Sequence, residues 1–309
     1  MEFNLSGYRP FSSYVTVIGV GGGASRIANQ FQAFNLVNTC AFGMNRKEME
    51  ELSLPHKYII GDGLGSGKDR CLAESECQKV LPCLEDELRD KRFAGFVVCL
   101  GGGTGEGCIK TFLQKAVEMR TEMKLLFVTL PHSSEGTEKR KNAISLLHEL
   151  EQYTEGIIVV DYDTIPCSTF SELYKGGDRR MIKIMYEFVR SISVVGVNSF
   201  DFWDMFTFLK QCPQTKYIEY TSLSGDPDYM EKAVNDICQF LPPKYSSVYD
   251  ISSIVVIAEF CEDTSEEDMR NTLARLMEQI PPEVESKVKI DVDTQSRNLI
   301  KFNIFTKHF

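Results

Sequence analysis

Two glycine-rich segments are the part of this chain best suited to chemistry, because their backbone can hold a phosphate group. Residues 101–107 (GGGTGEG) have five glycines in seven positions, and residues 19–25 (GVGGGAS) follow a predicted strand and open a predicted helix. Glycine lets backbone N–H groups approach an anion, and a helix N-terminus adds partial positive charge. The pattern predicts a phosphate site, with the Thr104 hydroxyl donating to a further phosphate oxygen.

Two alternatives remain open for residues 19–25. One is a dinucleotide fingerprint, although Ala24 stands at the last glycine position and no acidic residue follows the second predicted strand to hold a ribose hydroxyl. The other is a tight turn without a ligand. Residues 101–107 are harder to explain by turn geometry, which needs one or two glycines.

Asp201 and Asp204 form a second candidate site. They lie three residues apart at the start of a predicted helix, so both carboxylates can face the same side. The alternative is that they only stabilise the helix macrodipole, by roughly 0.3–1 kcal/mol.

The elements that must position these residues alternate between short β-branched runs and segments of helical period. The predicted strands are residues 14–20, 37–42, 96–100, 125–130 and 156–160. The predicted helices are residues 73–88, 109–119 and 138–150. This alternation favours a parallel sheet covered on both faces, with ligands at the carboxyl ends of its strands, where the glycine segments fall.

A long helix is predicted over residues 171–193 from apolar side chains at helical spacing. Gly176 and Gly177 each cost about 1 kcal/mol relative to alanine inside a helix, so either the helix starts there or the glycines make room for another group. A smaller mixed α/β pattern follows, with a helix after Asp201. Its other predicted elements are strands at residues 217–222, 251–260, 288–292 and 299–305 and helices at residues 228–241 and 266–280.

Composition limits the classes of protein. With 309 residues, 43% hydrophobic and 25% charged, the chain is long enough for two globular domains and is not disordered, collagen-like or a coiled coil. A net charge of -10 and a pI near 5.1 argue against direct nucleic-acid binding.

The N-terminal residues and the cysteines predict a cytoplasmic protein. Residues 1–11 lack the features of a signal peptide, and no stretch reaches the roughly 18 apolar residues of a membrane span, so we expect no direct membrane insertion. Ten cysteines without a C-x-x-C pair read as reduced thiols, and with four histidines they form no cluster of metal spacing.

Residues 101–107 resemble the signature loop of tubulins and FtsZ, G-G-G-T-G-x-G. Other segments resemble further motifs of that family in the same order, which is far more specific than one motif alone. They are residues 17–23, similar to its opening phosphate loop; 63–67 (GLGSG), to its third phosphate loop; 128–136, to its sugar-binding loop; and 201–205 (DFWDM), to its catalytic D-F-A-D-V.

The resemblance implies an α/β fold with a Rossmann-like parallel sheet. Its parts are a GTP-binding domain at residues 1–170, a long central helix at 171–194 and a smaller mixed α/β, GTPase-activating domain at 195–309. It also implies a GTPase that binds GTP or GDP with Mg²⁺ and polymerises head-to-tail with copies of itself. Asp201 and Asp204 would enter the next subunit's pocket as catalytic acids and polarise the attacking water.

The family's base and sugar contacts fall on particular residues. Glu135 would accept from the ribose hydroxyls, and Lys139 or Arg140 stands where the family has an arginine. Tyr174 would stack on guanine, and Asp178 would accept from its N1–H and 2-amino group, which adenine lacks. The alternative is that Tyr174 packs in the core and Asp178 faces solvent.

Several residues depart from the family pattern, among them Arg26, Tyr162, Glu106 and, in the catalytic loop, Ser199, which stands where the family has asparagine. Arg26 and Tyr162 replace asparagines, and we expect Arg26 to reach phosphate or base and Tyr162 to stack. A carboxylate at Glu106 would repel a nucleotide unless it points away or meets a metal ion. The residues expected to bind GTP are Gly21, Gly22, Gly23, Ala24, Ser25, Arg26, Ser66, Gly67, Gly102, Gly103, Thr104, Gly105, Glu106, Gly107, Glu135, Lys139, Tyr162, Tyr174 and Asp178.

Two other functions stay open: a nonhydrolysing GTP-bound scaffold that regulates a related filament, and a nicotinamide-dependent oxidoreductase. Cell-division members of the family usually carry a C-terminal tail that recruits membrane anchors. No such tail follows in this sequence, so we expect no tethering of that kind.

Overall fold

The computed structural model describes residues 11–211, 213–214, 216–225, 232, 251–293 and 300–308. The chain divides into two compact units, Met1–Tyr186 and Glu187–Phe309. The boundary falls inside a long helix, α7 (Phe170–Ser193). The helix predicted at residues 228–241 lies, apart from residue 232, outside the described residues.

Six parallel strands form the sheet of the first unit, in the order β3-β2-β1-β4-β5-β6. They are β1 (Val15–Val20), β2 (Asn38–Gly43), β3 (His56–Ile59), β4 (Phe93–Cys99), β5 (Met123–Leu130) and β6 (Gly156–Asp161). Strand β1 lies between β2 and β4, so the chain is built outward on both sides of β1: first to β2 and β3 on one side, then to β4, β5 and β6 on the other. That reversal opens a crevice at the carboxyl ends of β1 and β4, where both glycine segments begin.

Helices connect these strands. They are α1 (Gly22–Phe31), α2 (Arg46–Glu50), α3 (Arg70–Cys77), α4 (Leu81–Leu88), α5 (Gly103–Glu118) and α6 (Thr137–Leu150). Every residue of β1 and β5 is buried, as expected for a parallel sheet covered on both faces. The predicted parallel α/β fold is confirmed.

The helix boundaries differ from the predictions at two places. The helix predicted from residue 109 begins at Gly103, because its first turn is made of glycines, whose low helix propensity hides it. The helix predicted over residues 73–88 is split by a 3-10 turn at Gln78–Val80. Pro82 then lies in the first turn of α4, where its missing N–H costs no hydrogen bond.

Helix α7 runs without interruption through Gly176 and Gly177. A Cβ added to Gly177 would overlap the Tyr162 ring, and one added to Gly176 would lie 2.8 Å from the Ile165 side chain. The glycines therefore make room for other groups, and the helix does not start at them.

The second unit is a smaller mixed α/β domain, as predicted. Its strands are β7 (Tyr217–Gly225), β8 (Ile251–Cys261), β9 (Glu285–Asp293) and β10 (Ile300–His308), and its further helices are α8 (Phe202–Lys210) and α9 (Glu266–Gln279). The strand order is β7-β10-β8-β9, with β10 antiparallel to β7 and β8, and β8 parallel to β9. All of β8 is buried.

None of the helices in the described ranges has the length and apolar composition needed to cross a membrane.

Candidate active site

The first glycine segment ends β1 and leaves the start of α1 without a side-chain cap. Gly21 has φ 89°, which favours glycine, and its N–H donates to the Phe42 carbonyl at 2.8 Å. The first helical amide with an acceptor in this helix is that of Ser25, which donates to Gly21 at 2.8 Å. The amides of Gly22, Gly23 and Ala24 precede it and have no intrahelical acceptor, so they are available to an anion.

The second glycine segment repeats this arrangement at the end of β4. Gly101 has φ 94°, and Gly102 at the start of α5 provides no side-chain cap. A Cβ added to Gly21 would lie 3.0 Å from the Gly105 amide nitrogen, so the two segments touch. Two uncapped helix N-termini therefore meet at neighbouring strand ends, where their dipoles reinforce one another.

The Glu106 carboxylate is part of the loop's own structure. One oxygen accepts from the Gly101 N–H at 2.5 Å, and the other lies 3.5 Å from Nε of Arg70. The side chain is buried, so the partial positive amide and the guanidinium offset its charge locally. Glu106 closes the turn that residues 101–106 form.

The uncapped helix ends open into a cavity of about 240 Å³. Its polar side chains include Lys139, whose Nζ lies 2.5 Å from Oε2 of Glu135. Arg140, the other cation considered for this position, donates instead to both oxygens of Asp161, at 2.9 and 2.5 Å. Lys139 is therefore the cation of the pair that faces the cavity.

A second cavity, of about 550 Å³, continues from the first, since Arg26 and Tyr174 line both. Asp178 lines this second cavity between α1 and α7. Its side chain is buried, so the alternative that it faces solvent is wrong. Nε of Arg26 lies 3.2 Å from Oδ2 of Asp178, and the Tyr162 hydroxyl lies 3.5 Å from Oδ1.

The charges of this region are perturbed by burial. Burial raises the pKa of Asp178, and the Arg26 guanidinium opposes that rise. Burial likewise raises the pKa of the Cys99 thiol to about 11, so this thiol stays protonated near neutral pH. Burial and the nearby Glu135 carboxylate raise the pKa of Tyr174. The wall of the second cavity thus combines a buried acceptor with a guanidinium donor.

The two cavities bring together most of the residues that the sequence predicts to bind GTP. Those that line them are Gly21, Gly22, Gly23, Ala24, Arg26, Gly102, Gly103, Thr104, Gly105, Glu135, Lys139, Tyr162, Tyr174 and Asp178. Those outside the lining are Ser25, Ser66, Gly67, Glu106 and Gly107. Ser66 is nevertheless close, because its Oγ lies 3.4 Å from Oγ1 of Thr104. The contacts of all these residues with a nucleotide stay predictions.

Several lining residues were missed by the sequence reasoning. Thr129 and Pro131 lie in the segment that resembles the sugar-binding loop, so that motif could have included them. Cys99 ends β4 without a distinguishing pattern. Lys175 and Arg179 line the second cavity from α7. They could have been predicted only by considering which residues of the same helix lie around Asp178.

The two acids of the second unit begin α8 as a reciprocal cap. Oδ1 of Asp201 accepts from the amides of Trp203 at 2.8 Å and Asp204 at 3.3 Å, and Oδ2 of Asp204 accepts from the Asp201 amide at 3.0 Å. Oδ1 of Asp204 lies 3.5 Å from Nζ of Lys287. The two acids therefore stabilise the start of α8, and Asp201 is also exposed at the surface.

The arrangement in the first unit fits a nucleoside phosphate. The amide-lined end suits phosphates, and the adjoining cavity offers an acceptor and a ring for a base. Among the described residues, no group of three or more His, Cys, Asp or Glu could hold a metal ion.

Comparisons with known proteins agree with this geometry. Residues 14–168 match a family model described as the Tubulin/FtsZ family, GTPase domain. The cell division protein FtsZ of Aquifex aeolicus is 27% identical over 208 residues, covering 64% of this chain and 56% of that protein. The chain thus spans about half the length of the curated relatives that it matches.

Solved structures share the fold at lower identity. An FtsZ dimer of M. jannaschii superposes with a TM-score of 0.80 at 19% identity, covering 95% of this chain and 88% of the other. A protofilament of CetZ2 from Haloferax volcanii with bound GTPγS gives a TM-score of 0.75 at 17% identity, covering 94% and 92%.

Proposed function

Because the chain belongs to the tubulin/FtsZ family, we propose that it binds GTP in the first unit and hydrolyses it after head-to-tail assembly with further copies of itself. One observation carries the proposal: two helix N-termini without side-chain caps open into one cavity, and a buried carboxylate lines the adjoining one. Family membership favours a guanine mononucleotide over the nicotinamide coenzyme considered for the first glycine segment.

The bound nucleotide would lie with its phosphates on the amides of α1 and α5. The ribose would reach Glu135, and the base would meet Tyr174 and Asp178. Guanine presents two donors to Asp178, whereas adenine presents none that match, so the buried carboxylate supports guanine. The Mg²⁺ ion would neutralise charge on the β- and γ-phosphates, held by them and by water.

Hydrolysis requires an acid that orients water, and the Glu106 carboxylate is already engaged by the Gly101 amide and Arg70. We assign this role to Asp201 and Asp204 of an adjoining copy, which would orient the water that attacks the γ-phosphorus as the bond to the bridging oxygen breaks. A head-to-tail contact of this kind does not close on itself, so it grows a filament. The solved relatives described as a dimer and a protofilament support this mode of association.

A second candidate is a GTP-bound scaffold that does not hydrolyse. The observation that favours it is the engagement of both acids: each caps α8, and Asp204 also lies beside Lys287. To orient a water molecule on a neighbour's nucleotide, Asp204 would have to give up its contacts with the Asp201 amide and with Lys287.

The deciding experiment measures GTP turnover per subunit against protein concentration, with light scattering recorded on the same samples. A self-activated polymer shows a threshold concentration at which scattering and turnover rise together. A scaffold binds labelled GTP but shows almost no turnover at any concentration. Absence of GTP binding, with or without Mg²⁺, would contradict both candidates.

A further inference from the structure

A lysine occupies an unusual backbone position beside the first cavity. The turn that contains it is closed by a hydrogen bond from the Asp69 amide to the Ser66 carbonyl at 2.8 Å. Its two central residues, Gly67 and Lys68, have φ of 57° and 67°. Turns with positive φ at both central positions ordinarily carry glycine, asparagine or aspartate there. Lys68 therefore holds a conformation that glycine would adopt without strain.

The main chain of Lys68 lies against the start of α5. A Cβ added to Gly103 would lie 2.7 Å from both the Cα and the carbonyl carbon of Lys68, so glycine is what permits this close approach. Thr104 lies close to the same turn, with its Oγ1 3.4 Å from Oγ of Ser66. The first amide of α5 with an acceptor in the helix is that of Glu106. The amides of Gly103 and Thr104 precede it and are available to an anion.

The Lys68 ammonium can reach an anion that is bound to those amides. A four-carbon stem carries a lysine ammonium roughly 6 Å from its Cα. An anion that accepts from the Gly103 or Thr104 amide lies about 3 Å from the amide nitrogen. Because the Lys68 side chain is exposed, it can turn toward the cavity without losing packing.

The two cations that line the first cavity are already engaged by carboxylates. Nζ of Lys139 lies 2.5 Å from Oε2 of Glu135, and Nε of Arg26 lies 3.2 Å from Oδ2 of Asp178. Each pair is close to neutral, so neither offers a full positive charge to a triphosphate. Lys68, by contrast, forms no ion pair with any acid in the part of the chain that the structure describes.

Two exposed acids lie near Lys68 in sequence, and both are bonded to the backbone. Oδ1 of Asp62 accepts from the Leu64 amide at 2.9 Å. Oδ1 of Asp69 accepts from the Leu72 amide at 3.0 Å and so caps α3. These bonds hold each carboxylate at its own loop or helix start, and neither acid is drawn into an ion pair with Lys68.

The position of the turn points to the phosphates, and to the one farthest from the base. Gly103 and Thr104 line the first cavity but not the second, which Asp178 lines and to which the base is assigned. A nucleotide whose base lies in the second cavity therefore brings its phosphates, and not its base, to the turn that carries Lys68.

We propose that Lys68 donates to the terminal phosphate of the bound nucleotide and makes this site prefer a triphosphate to a diphosphate. The inference rests on the proposed function, which puts the phosphates on the amides of α1 and α5. A hydrogen bond between an ammonium and a phosphate oxygen is roughly twice as strong as one between neutral groups. A diphosphate lacks the group that this ammonium contacts.

Competition binding tests the preference. Labelled GDP is displaced, with Mg²⁺ and below the assembly threshold, by GDP or by the nonhydrolysable GTP analogue with a methylene group between the β- and γ-phosphorus atoms. We expect Lys68→Gln and Lys68→Gly to lower the ratio of analogue affinity to GDP affinity roughly 10-fold or more, as the loss of a charged hydrogen bond requires. The affinity for GDP stays the same, and Lys68→Arg keeps most of the ratio.

Stability separates the ammonium from the backbone. Lys68→Gly relieves the left-handed residue, so its midpoint in urea should be unchanged or higher even though its preference for the triphosphate is lost. Arg120→Gly is the matched control, because Arg120 is also an exposed cation with positive φ, 59°, and it follows the far end of α5. It removes the same charge and relieves the same conformation, and it keeps the wild-type ratio.

The outcomes separate this inference from the proposed function. If Lys68→Gly and Lys68→Gln keep the wild-type ratio, or if they weaken GDP and the analogue equally, the inference is overturned and the proposed function stands. If the wild type binds neither nucleotide, the proposed function is overturned and this inference with it. If Lys68→Gly loses the preference but wild-type turnover does not depend on assembly, the inference stands and assembly-dependent hydrolysis is overturned.

Discussion

Nε of Arg26 lies 3.2 Å from Oδ2 of Asp178, so the carboxylate assigned to guanine already holds a guanidinium. Arg26 is half-exposed and Asp178 is buried, which leaves the arginine free to move and the acid fixed. When a base enters the cavity, this pair can respond in two ways. Either Arg26 turns to solvent, or Arg26 stays and donates to the base while Asp178 accepts.

Asp178→Asn should relax the preference for guanine. The amide keeps the size of the side chain but loses its charge and one acceptor oxygen, and a hydrogen bond to a charged group contributes about 1.5–3 kcal/mol. We expect the ratio of GTP to ATP affinity to fall roughly 10- to 100-fold in competition against labelled GTP. Glu138→Gln, at an exposed acid of α6, serves as the control and keeps the wild-type ratio. An unchanged ratio in Asp178→Asn would remove Asp178 from the base site.

The raised pKa of Asp178 predicts a pH dependence of stability. Burial, opposed by Arg26, raises this pKa in the folded protein, so the folded state binds the proton more tightly than the unfolded state. The contribution to stability is present below the unfolded pKa, about 3.9, and is lost as pH rises through the folded pKa. Lowering the pH from about 7 to about 4 should therefore favour the wild type relative to Asp178→Asn in urea unfolding. The opposite trend would mean that Arg26 outweighs burial.

Gly177→Ala should destabilise the first unit, because the added methyl would overlap the Tyr162 ring. Overpacking of a buried site costs typically about 1–3 kcal/mol, which outweighs the gain of about 1 kcal/mol in helix propensity from replacing glycine. Urea unfolding of single and double variants measures the effect. In a Tyr162→Leu background the same substitution should cost much less, since the ring is gone. If Gly177→Ala lowers the free energy of unfolding equally in both backgrounds, the added methyl group clashes with something other than the Tyr162 ring.

Glu106→Ala should weaken the turn that holds the second glycine segment. The Gly101 amide would lose its acceptor and Arg70 its partner, and a hydrogen bond to a charged group contributes about 1.5–3 kcal/mol. Glu106→Gln keeps an acceptor for Gly101 and should cost less. Protease susceptibility between residues 99 and 107, together with the free energy of unfolding, distinguishes them. Equal stability of both variants and the wild type would contradict this role.

The glycine segments could be located from local composition, whereas the residues of the adjoining cavity could be assigned only through the family resemblance. Five glycines among residues 101–107 encode close approaches of the backbone directly, so composition alone located that loop. The pair of Arg26 and Asp178, by contrast, joins residues 152 positions apart, and it depends on how α1 packs beside α7. No local pattern carries that information.

Short elements and local side-chain bonds were also beyond the sequence. Strand β3 has four residues, none of them buried, so it lacks the apolar run that marked its neighbours. Glu106 and Gly101 are only five residues apart, yet their bond depends on α5 beginning at Gly103 instead of residue 109. With the later start, the carboxylate would have been placed on a loop facing the phosphates.

Asp204→Ala should separate catalysis from binding. If Asp204 acts on a neighbour's nucleotide, the variant binds labelled GTP normally while turnover above the assembly threshold falls roughly 10²–10³-fold. Losing the Asp204 carboxylate from the cap of α8 should lower the free energy of unfolding by about 0.5–2 kcal/mol. Asp268→Ala is a matched control, because Asp268 occupies the same position in the first turn of α9 and bonds to the capping Ser265. It should cost similar stability and keep the turnover. Equal losses of turnover in the two variants would show that the acid at Asp204 acts through helix stability alone.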